Sequence, residues 1–138
     1  MALIEPKSED LPLLLQLLED ENPKYRQEAA YSLGRLGPKG RKAVAALIKR
    51  VEHDGEAEVR RTAIRALALI AHEAKAAVPC LIHVLQTQDK HLRLEAIQAL
   101  TRIAPDSKEA TAAITEALLD SDEDVRQAAA IVMHRMIG

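Results

Sequence analysis

The chain has 138 residues, of which 48% are hydrophobic and 29% are charged, and its formal net charge is −2 at pH 7. This length predicts one globular domain, and the composition excludes an intrinsically disordered chain. The net charge provides no global excess of positive charge that would favour nucleic acid. The single cysteine, Cys80, cannot form a disulfide within the chain. A lone cysteine favours a reducing compartment, so we expect a cytoplasmic protein.

The N-terminal part predicts a short tail followed by a helix. Residues 1–7 show no basic segment followed by an apolar one, and no apolar run in the chain approaches the length of a membrane span, so we expect neither a signal peptide nor a membrane protein. A first helix is predicted from about Ser8 to Glu19, with Ser8 as its N-cap and Pro12 near its first turn. Its apolar residues have the spacing of an amphipathic helix. They are Leu11, Leu14, Leu15 and Leu18.

A second helix is predicted to begin at Asn22-Pro23, because asparagine accepts hydrogen bonds from the free N–H groups of a helix start and proline fits the first helical position. It is predicted to end at Gly37-Pro38, where a glycine is followed by a residue that cannot continue the helix. A third helix is predicted from about Gly40 to Glu52. The rest of the chain continues this alternation of helices and short loops, and no period-2 pattern predicts a β-strand.

One pattern recurs in every second helix: an arginine, an alanine three residues later, and a leucine or methionine four residues after the alanine. The arginines are Arg26, Arg60, Arg93 and Arg126, so the pattern recurs every 33 or 34 residues. A fixed period of this size is typical of a stacked repeat array. The invariant alanine is expected where helices cross, because a larger side chain would overpack the core there.

The period divides the helices into two types. Helices with the arginine pattern, here called motif helices, are predicted at about 22–36, 56–72, 89–103 and 122–137. The helices that alternate with them, here called partner helices, are predicted at about 8–19, 40–52, 75–87 and 106–119. Short loops make neighbouring helices antiparallel. The predicted fold is therefore all-α: a right-handed α-solenoid (an α-α superhelix) of antiparallel helix pairs, with about seven or eight helices.

The whole chain, 1–138, is predicted to be a single domain of stacked repeats. After the tail 1–7, its units are a half repeat at 8–21, repeats at 22–54, 55–88 and 89–121, and a half repeat at 122–138. Each repeat is expected to contact only its neighbours, so the stability should be roughly a sum of repeat and interface contributions.

Two segments carry a resemblance to a known family: Tyr31-Ser32-Leu33-Gly34-Arg35-Leu36-Gly37 and Asp122-Glu123-Asp124-Val125-Arg126. They resemble HEAT repeats, and most closely the short HEAT-like repeats of the phycobilisome-lyase type, whose consensus reads Asp…Val-Arg-x-x-Ala-x-x-x-Leu-Gly-x-Ile-Gly. The resemblance extends over about residues 8–138 and implies the α-solenoid fold. It does not identify a function, because this scaffold serves many unrelated binding roles.

The four repeated arginines could form a ligand-binding row or a structural ladder. Each lies in the first turn of its helix, where the helix dipole disfavours a cation, so we expect a carboxylate near each one. The candidates are Asp20, Asp54, Asp89, Asp120 and Asp122. In HEAT-like families an Asp–Arg ladder joins neighbouring repeats. The resemblance therefore implies that Arg26, Arg60, Arg93 and Arg126 form a structural ladder.

No catalytic residue, cofactor or metal site is predicted. The five histidines include no pair three or four residues apart, which is the spacing with which one helix presents two metal ligands. Cys80 and His83 share a helix face, and a Cys–His dyad could activate the thiol. A single thiol on an alanine-rich helix is more often a buried apolar group, so we expect no enzyme activity.

In HEAT arrays the partner helices line the concave face, and the resemblance therefore implies a partner-binding surface on them. Helical register gives three rows that are predicted to face solvent, and these rows vary between repeats while the core positions do not. The rows are Gln16, Lys49, His83 and Glu116; Leu17, Arg50, Val84 and Ala117; and Leu13, Ala46, Cys80 and Ala113. The predicted partner-binding residues are Lys42, Lys49, Arg50, His83 and Glu116.

The leading functional hypothesis is a non-enzymatic scaffold that binds a peptide or a domain of another protein on this face. The resemblance gives one alternative, a bilin (tetrapyrrole) lyase-like accessory protein, and a self-associating module or a fragment of a longer array is another. Apolar first and last helices favour a homodimer. The charge is +7 over residues 24–50 and −6 over residues 104–124, a gradient that could orient a charged partner or guide head-to-tail self-association, or simply reflect solvated helix faces. Nucleic acid is not expected, since no Trp or Phe is present to stack on a base.

Overall fold

The computed structural model describes the backbone of residues 5–137 and the side chains of residues 5–136, so residues 1–4 of the predicted tail lie outside the described part. The described residues form eight α-helices and no β-strand. The helices are α1 (Leu11–Leu17), α2 (Pro23–Arg35), α3 (Val44–His53), α4 (Ala57–Ile70), α5 (Val78–Val84), α6 (Lys90–Ile103), α7 (Lys108–Glu116) and α8 (Glu123–Ile137). Short 3-10 segments adjoin them at Ser8–Asp10, Gly37–Ala43, Ala71–Ala77 and Ala117–Leu119.

The motif helices α2, α4, α6 and α8 lie close to their predicted bounds, but the partner helices begin later than predicted. α3 begins at Val44 and α5 at Val78, because the turns before them have 3-10 rather than α-helical geometry. The predicted N-cap at Ser8 is wrong, since Ser8 lies inside a 3-10 turn and provides no cap. Instead the backbone N–H of Lys7 donates to Oδ2 of Asp10 at 2.9 Å.

Individual residues determine where the motif helices begin and end. Oδ1 of Asn22 accepts a hydrogen bond from the N–H of Lys24 at 2.9 Å and so caps α2 as predicted. The turn after α2 contains Gly37 with φ of 60°, and the equivalent residue one repeat later is Ala71 with φ of 62°. Glycine adopts this backbone conformation without strain, whereas it costs an alanine about 1–3 kcal/mol.

The stretch from Ala57 to Val84 is long and apolar enough to cross a membrane by length and composition alone. In the structure it is two helices, α4 and α5, which are separated by the turn at Ala71. Neither helix reaches the roughly 20 residues that a bilayer requires. Their apolar side chains, among them Ile64 and Leu81, lie in the core of the array, which accounts for the apolar character of the stretch.

The motif helices form one layer of an α-solenoid, the partner helices form the other, and the core lies between them. Leu33, Leu67 and Leu100 on the motif helices have no exposed surface, and neither have Leu47 and Leu81 on the partner helices. The repeated alanines are equally buried. They are Ala29, Ala63, Ala96 and Ala129. Close packing at these positions explains why the chain uses a small side chain in every repeat.

Neighbouring motif helices are held together in different ways along the array. A Cβ atom added at Gly34 of α2 would lie 2.9 Å from Cα of Ala66 of α4, so this pair depends on a close backbone approach. Between α4 and α6, Glu95 accepts hydrogen bonds from Nε of Arg61 at 3.0 Å and from Nε of Arg65 at 2.7 Å. The second pair of motif helices is therefore joined by ion pairs on the motif-helix face, in addition to packing.

The two ends of the array expose fewer apolar side chains than the sequence led us to expect. Leu13 of α1 and Ile131 of α8 are more than half exposed, whereas Leu14 and Val132 are buried in the core. The side chain of Ile137 lies outside the described residues. The terminal helices thus use most of their apolar residues within the array, because α1 packs against α2 and α8 packs against α6 and α7.

Candidate functional site

Arg26 shows the geometry of a complete step of the ladder. Its Nε donates to Oδ2 of Asp54 at 2.8 Å and its Nη2 donates to Oδ1 at 3.0 Å. Asp54 follows α3, one repeat further along the chain, and its side chain has no exposed surface. The same carboxylate accepts from Nη1 of Arg50 at 3.3 Å and from the N–H of Glu56 at 3.0 Å. The planar guanidinium and the carboxylate therefore form a bidentate pair that ties α2 to the loop before α4.

The surroundings of this pair keep both of its members charged. Burial on its own would raise the pKa of Asp54, but the hydrogen bonds from Arg26 and from the backbone of Glu56 outweigh it and hold this pKa below its usual value. The hydrogen bond to Asp54 in turn raises the pKa of Arg26. The ion pair is therefore fully formed at neutral pH.

Arg93 repeats this arrangement further along the array. Its Nη2 donates to Oδ1 of Asp120 at 3.0 Å, and its Nη1 donates to the carbonyl of Thr87 at 2.8 Å. Its Nε lies 2.9 Å from Oδ2 of Asp120, although the N–H is not aligned for a hydrogen bond. Asp120 occupies the position of Asp54, two repeats later. The structure thus contains Asp–Arg pairs at two of the four expected steps.

The other candidate carboxylates have different partners. Oδ1 of Asp89 accepts from the N–H of His91 at 2.9 Å, and Oδ1 of Asp122 accepts from the N–H of Val125 at 3.1 Å, so both aspartates cap motif helices. Arg126, in the last motif helix, donates to the backbone carbonyl of Asp120 at 2.9 Å. Its interactions in the described residues are therefore with the backbone rather than with a carboxylate.

Arg60 is the exception in the middle of the ladder, and the expectation of a carboxylate beside it is wrong. The position that corresponds to Asp54 and Asp120 in the intervening repeat is Thr87. The hydroxyl of Thr87 donates to the carbonyl of Val84 at 2.7 Å. Nε of Arg60 donates to the carbonyl of Val51 at 3.0 Å, and no carboxylate of residues 5–136 lies within 4.0 Å of its guanidinium. One threonine therefore interrupts the ladder.

A groove of about 460 Å³ lies beside this interruption, between the C-terminal ends of the partner helices α3 and α5. We call it the Arg60 groove. Its lining residues are Val51, Glu52, His53, Arg60, Cys80, His83, Val84 and Thr87. It combines an arginine that has unused donors with two histidines and one carboxylate on the surface where the sequence predicts partner binding.

The predicted possibility of a Cys–His dyad finds no support in this environment. Cys80 is buried, and burial, followed by the negative charge of Glu52, raises the pKa of its thiol to about 12. The thiolate is the nucleophilic form of cysteine. At neutral pH the thiol of Cys80 is therefore protonated, and it serves as a small apolar group of the groove wall.

The structure places the five predicted partner-binding residues in two different situations. Lys42, Lys49, His83 and Glu116 are exposed. Nζ of Lys49 lies 3.7 Å from Oε1 of Glu19, a contact between exposed groups that contributes little. Arg50 is half-buried and donates to the buried Asp54. Arg50 therefore supports the ladder, while the other four are accessible.

Only one of the three predicted solvent-facing rows is exposed along its whole length. It consists of Gln16, Lys49, His83 and Glu116, and we call it the exposed row. In the other two rows Cys80, Val84, Ala113 and Ala117 are buried, so the expectation of solvent exposure is wrong there. The reason is that the successive partner helices α3, α5 and α7 contact one another, which covers the positions on either side of the exposed row.

Two further grooves were not predicted from the sequence. One of about 500 Å³ lies between α2 and α4 and is lined by Tyr31 and Leu69. The other, about 690 Å³, lies beside α5 and is lined by Pro79 and Pro105. Tyr31, one of the two tyrosines of a chain without Phe or Trp, is about half exposed in the first of these grooves.

Comparison with known proteins agrees with this architecture. The sequence matches the family model of HEAT repeats at residues 1–67 and 44–134, which together extend over almost the whole chain. A search of curated proteins found no match.

Among solved structures, an engineered protein superposes with a TM-score of 0.71 at 27% identity, over 92% of this chain and 62% of the engineered one, so this chain spans less than two thirds of its length. A designed armadillo repeat protein in complex with the peptide (KR)4 gives a TM-score of 0.73 at 18% identity, over 96% and 70% of the two chains. The complex of CpcE and CpcF of phycocyanin lyase from Nostoc sp. PCC7120 gives 0.64 at 18% identity, over 92% and 99%. At 18% identity, the last two structures show only that their fold is similar to that of this chain. On the match of the family model over nearly all of its residues, the chain belongs to the HEAT-repeat family.

Proposed function

We propose that this chain is a non-enzymatic scaffold that binds an extended segment or a domain of another protein on its partner-helix face. The observation that carries the proposal is the exposed row, which presents Gln16, Lys49, His83 and Glu116 in four successive partner helices. The four residue types all differ, while the core positions beside them keep apolar residues in each repeat. A constant scaffold with a variable exposed row is the arrangement with which a repeat protein recognises a specific partner.

The comparisons support binding of this general kind. One similar solved structure is a designed repeat protein in complex with a peptide, and another is a complex of two repeat proteins. We assign the contacts of this chain to Lys42, Lys49, His83 and Glu116, with Arg50 acting through its hydrogen bond to Asp54. Mixed charges on this row favour a partner with both acidic and basic groups, since complementary charges contribute to specificity.

Peptide selection provides the test, because the natural partner is unidentified. A library of random peptides displayed on phage is selected on the purified protein, and the affinity of the selected peptides is measured by fluorescence anisotropy. The triple variant Lys49→Ala/His83→Ala/Glu116→Ala should weaken binding at least about tenfold, since a few central residues usually dominate an interface. The matched control Lys24→Ala/Glu28→Ala/His134→Ala removes the same residue types from exposed positions on motif helices and should leave the affinity unchanged. Equal affinities of the two triple variants would contradict the assignment.

A second candidate function is that of a lyase-like accessory protein that handles a bilin. It is favoured by the superposition on the phycocyanin lyase complex, whose chain is covered over 99% of its length. The test is to add phycocyanobilin to the purified protein. A shifted absorption band together with a raised melting temperature would support this candidate, and the absence of both would remove it.

A third candidate is self-association through the ends of the array. Leu13 at one end and Ile131 at the other are more than half exposed, and Leu119 is 88% exposed. Light scattering over a concentration series tests it: a molar mass that rises with concentration, and no longer rises after Leu119→Ser and Ile131→Ser, is the expected result. A monomer at every concentration would exclude it.

A further inference from the structure

We propose that the Arg60 groove is a carboxylate-binding subsite, which receives the side chain of an aspartate or glutamate from the protein segment bound along the exposed row. The inference rests on the proposed function, because it assigns one contact of that same interaction. It adds the chemical class of the residue recognised and the reason for its recognition. The carboxylate that the array lacks at this step would come from the partner.

The chain itself shows what an arginine at this position requires. Arg26 and Arg93 each direct two nitrogen atoms at one carboxylate, at distances between 2.8 and 3.0 Å. Each also donates to a backbone carbonyl, those of Asp20 and Thr87 respectively. A guanidinium has five N–H donors in a planar fork that fits the two oxygens of a carboxylate. An arginine at this position therefore has the donors to hold a carboxylate with two nitrogen atoms; in Arg60 the two Nη atoms would supply them, because Nε donates to Val51.

At Arg60 most of this donor capacity is unused. Its Nε donates to the carbonyl of Val51 at 3.0 Å, and within residues 5–136 its two Nη atoms make no hydrogen bond. Thr87 does not replace the missing aspartate, because its hydroxyl is directed to the carbonyl of Val84. The result is a permanently charged donor group at the wall of an open groove of about 460 Å³.

Besides the guanidinium of Arg60, the groove offers imidazole N–H groups, which can donate hydrogen bonds to a carboxylate. Arg60 is accompanied by His53 and His83, and the only carboxylate in the lining is Glu52. Glu52 does not pair with Arg60, since their charged groups are not within 4.0 Å of each other; its Oε1 lies 3.8 Å from Nε2 of His53. The negative charge of Glu52 repels an anionic ligand in the same groove, so Glu52→Gln should strengthen its binding.

The groove is also correctly placed for a segment that lies on the exposed row. His83 belongs to both, because it lines the groove and is the third member of the row. A segment that contacts His83 can therefore direct a side chain into the groove. The threonine that interrupts the ladder, Thr87, follows the partner helix α5, to which His83 belongs.

Three fluorescein-labelled octapeptides provide the test: alternating Ala–Glu, alternating Ala–Gln and alternating Ala–Lys. Fluorescence anisotropy measures their affinity for the full chain. We expect the Glu peptide to bind about tenfold more tightly than the Gln peptide, the effect of charge-assisted hydrogen bonds to one guanidinium. Arg60→Gln should abolish this preference. The matched control Arg126→Gln, at the equivalent position of the last motif helix, should retain it.

Thr87→Asp is the decisive variant, because it restores the ladder within the chain. The new carboxylate should pair with Arg60 as Asp54 pairs with Arg26, so the melting temperature should rise while the preference for the Glu peptide disappears. A fold defect cannot imitate this combination. If the preference survives Arg60→Gln or Thr87→Asp, or is absent in the unaltered protein, the subsite assignment is wrong.

The same measurements separate this inference from the proposed function. If a peptide of any type binds and Lys49→Ala/His83→Ala/Glu116→Ala weakens it while Arg60→Gln does not, the scaffold function stands and the carboxylate subsite is rejected. If none of the three peptides and no peptide selected from the random library binds, both are rejected.

Discussion

The same substitution, arginine to glutamine, at the four equivalent positions of the ladder should have very unequal effects on stability. Arg26→Gln leaves the fully buried carboxylate of Asp54 without its main partner. Removing one member of a buried ion pair costs about 3–5 kcal/mol, and because Arg50 still donates to Asp54 we expect the lower value, about 3 kcal/mol. Arg93→Gln should cost nearly as much, since its pair with Asp120 is buried to a similar extent.

Arg60→Gln should cost only about 1 kcal/mol, because a single hydrogen bond to a backbone carbonyl is lost. For a chain of this length these values correspond to a decrease in melting temperature of about 10 °C for Arg26→Gln and about 3 °C for Arg60→Gln. Arg126→Gln, at an exposed position, should have a still smaller effect. Urea denaturation followed by circular dichroism measures all four variants under the same conditions. Equal destabilisation by Arg60→Gln and Arg26→Gln would refute the conclusion that the ladder is interrupted.

Three further predictions concern other parts of the array. Because the pKa of Asp54 is lowered in the folded protein, its carboxylate stabilises the fold above the unfolded pKa of about 3.9, and this stabilisation is lost as the pH falls through the lower folded pKa. The difference in unfolding free energy between the unaltered protein and Asp54→Asn should therefore shrink below about pH 4. An equal difference in urea titrations at pH 7 and pH 3 would contradict this. Gly34→Ala should destabilise the protein by about 1–3 kcal/mol in thermal unfolding, because the added Cβ would lie 2.9 Å from Cα of Ala66. The higher helix propensity of alanine should not compensate for this close contact. A stabilised variant would show that α2 and α4 are not so close. Ala71→Gly should raise the free energy of unfolding by about 1 kcal/mol, because glycine relieves the strain at φ of 62°. The control Ala74→Gly, in the same turn but at negative φ, should lower the free energy of unfolding. A decrease with both variants would argue against strain at Ala71.

The architecture could be predicted from the sequence because the repeats can be compared with each other. Equivalent positions such as Ala29 and Ala63, or Leu33 and Leu67, share one residue type, which identified the buried face of each motif helix. Strong local signals also predicted single helix boundaries. Asn22 with Pro23 correctly predicted the start of α2.

Features that depend on the distance between helices could not be predicted in this way. The turns before Val44 and Val78 adopt 3-10 geometry, which carries no separate sequence pattern. Register assigned Cys80 to solvent, and contact between neighbouring partner helices buries it. The interruption of the ladder was different, since aligning Asp54, Thr87 and Asp120 by the period would have revealed it from the sequence.

The uneven ladder also determines how the array would respond to bending. Asp–Arg ion pairs fix α2 to the loop after α3 and fix α6 to the segment after α7, whereas α4 lacks such a pair to the loop after α5. At that junction the ion pairs lie on the other face, where Glu95 holds Arg61 and Arg65. We therefore expect the two parts of the array that contain the Asp–Arg pairs to be stiffer than the junction between them, where ion pairs join the helices on the motif-helix face only. Small changes in the curvature of the solenoid should therefore occur mainly at this junction, about the ion pairs of Glu95. Such changes would widen or narrow the groove in which Arg60 lies.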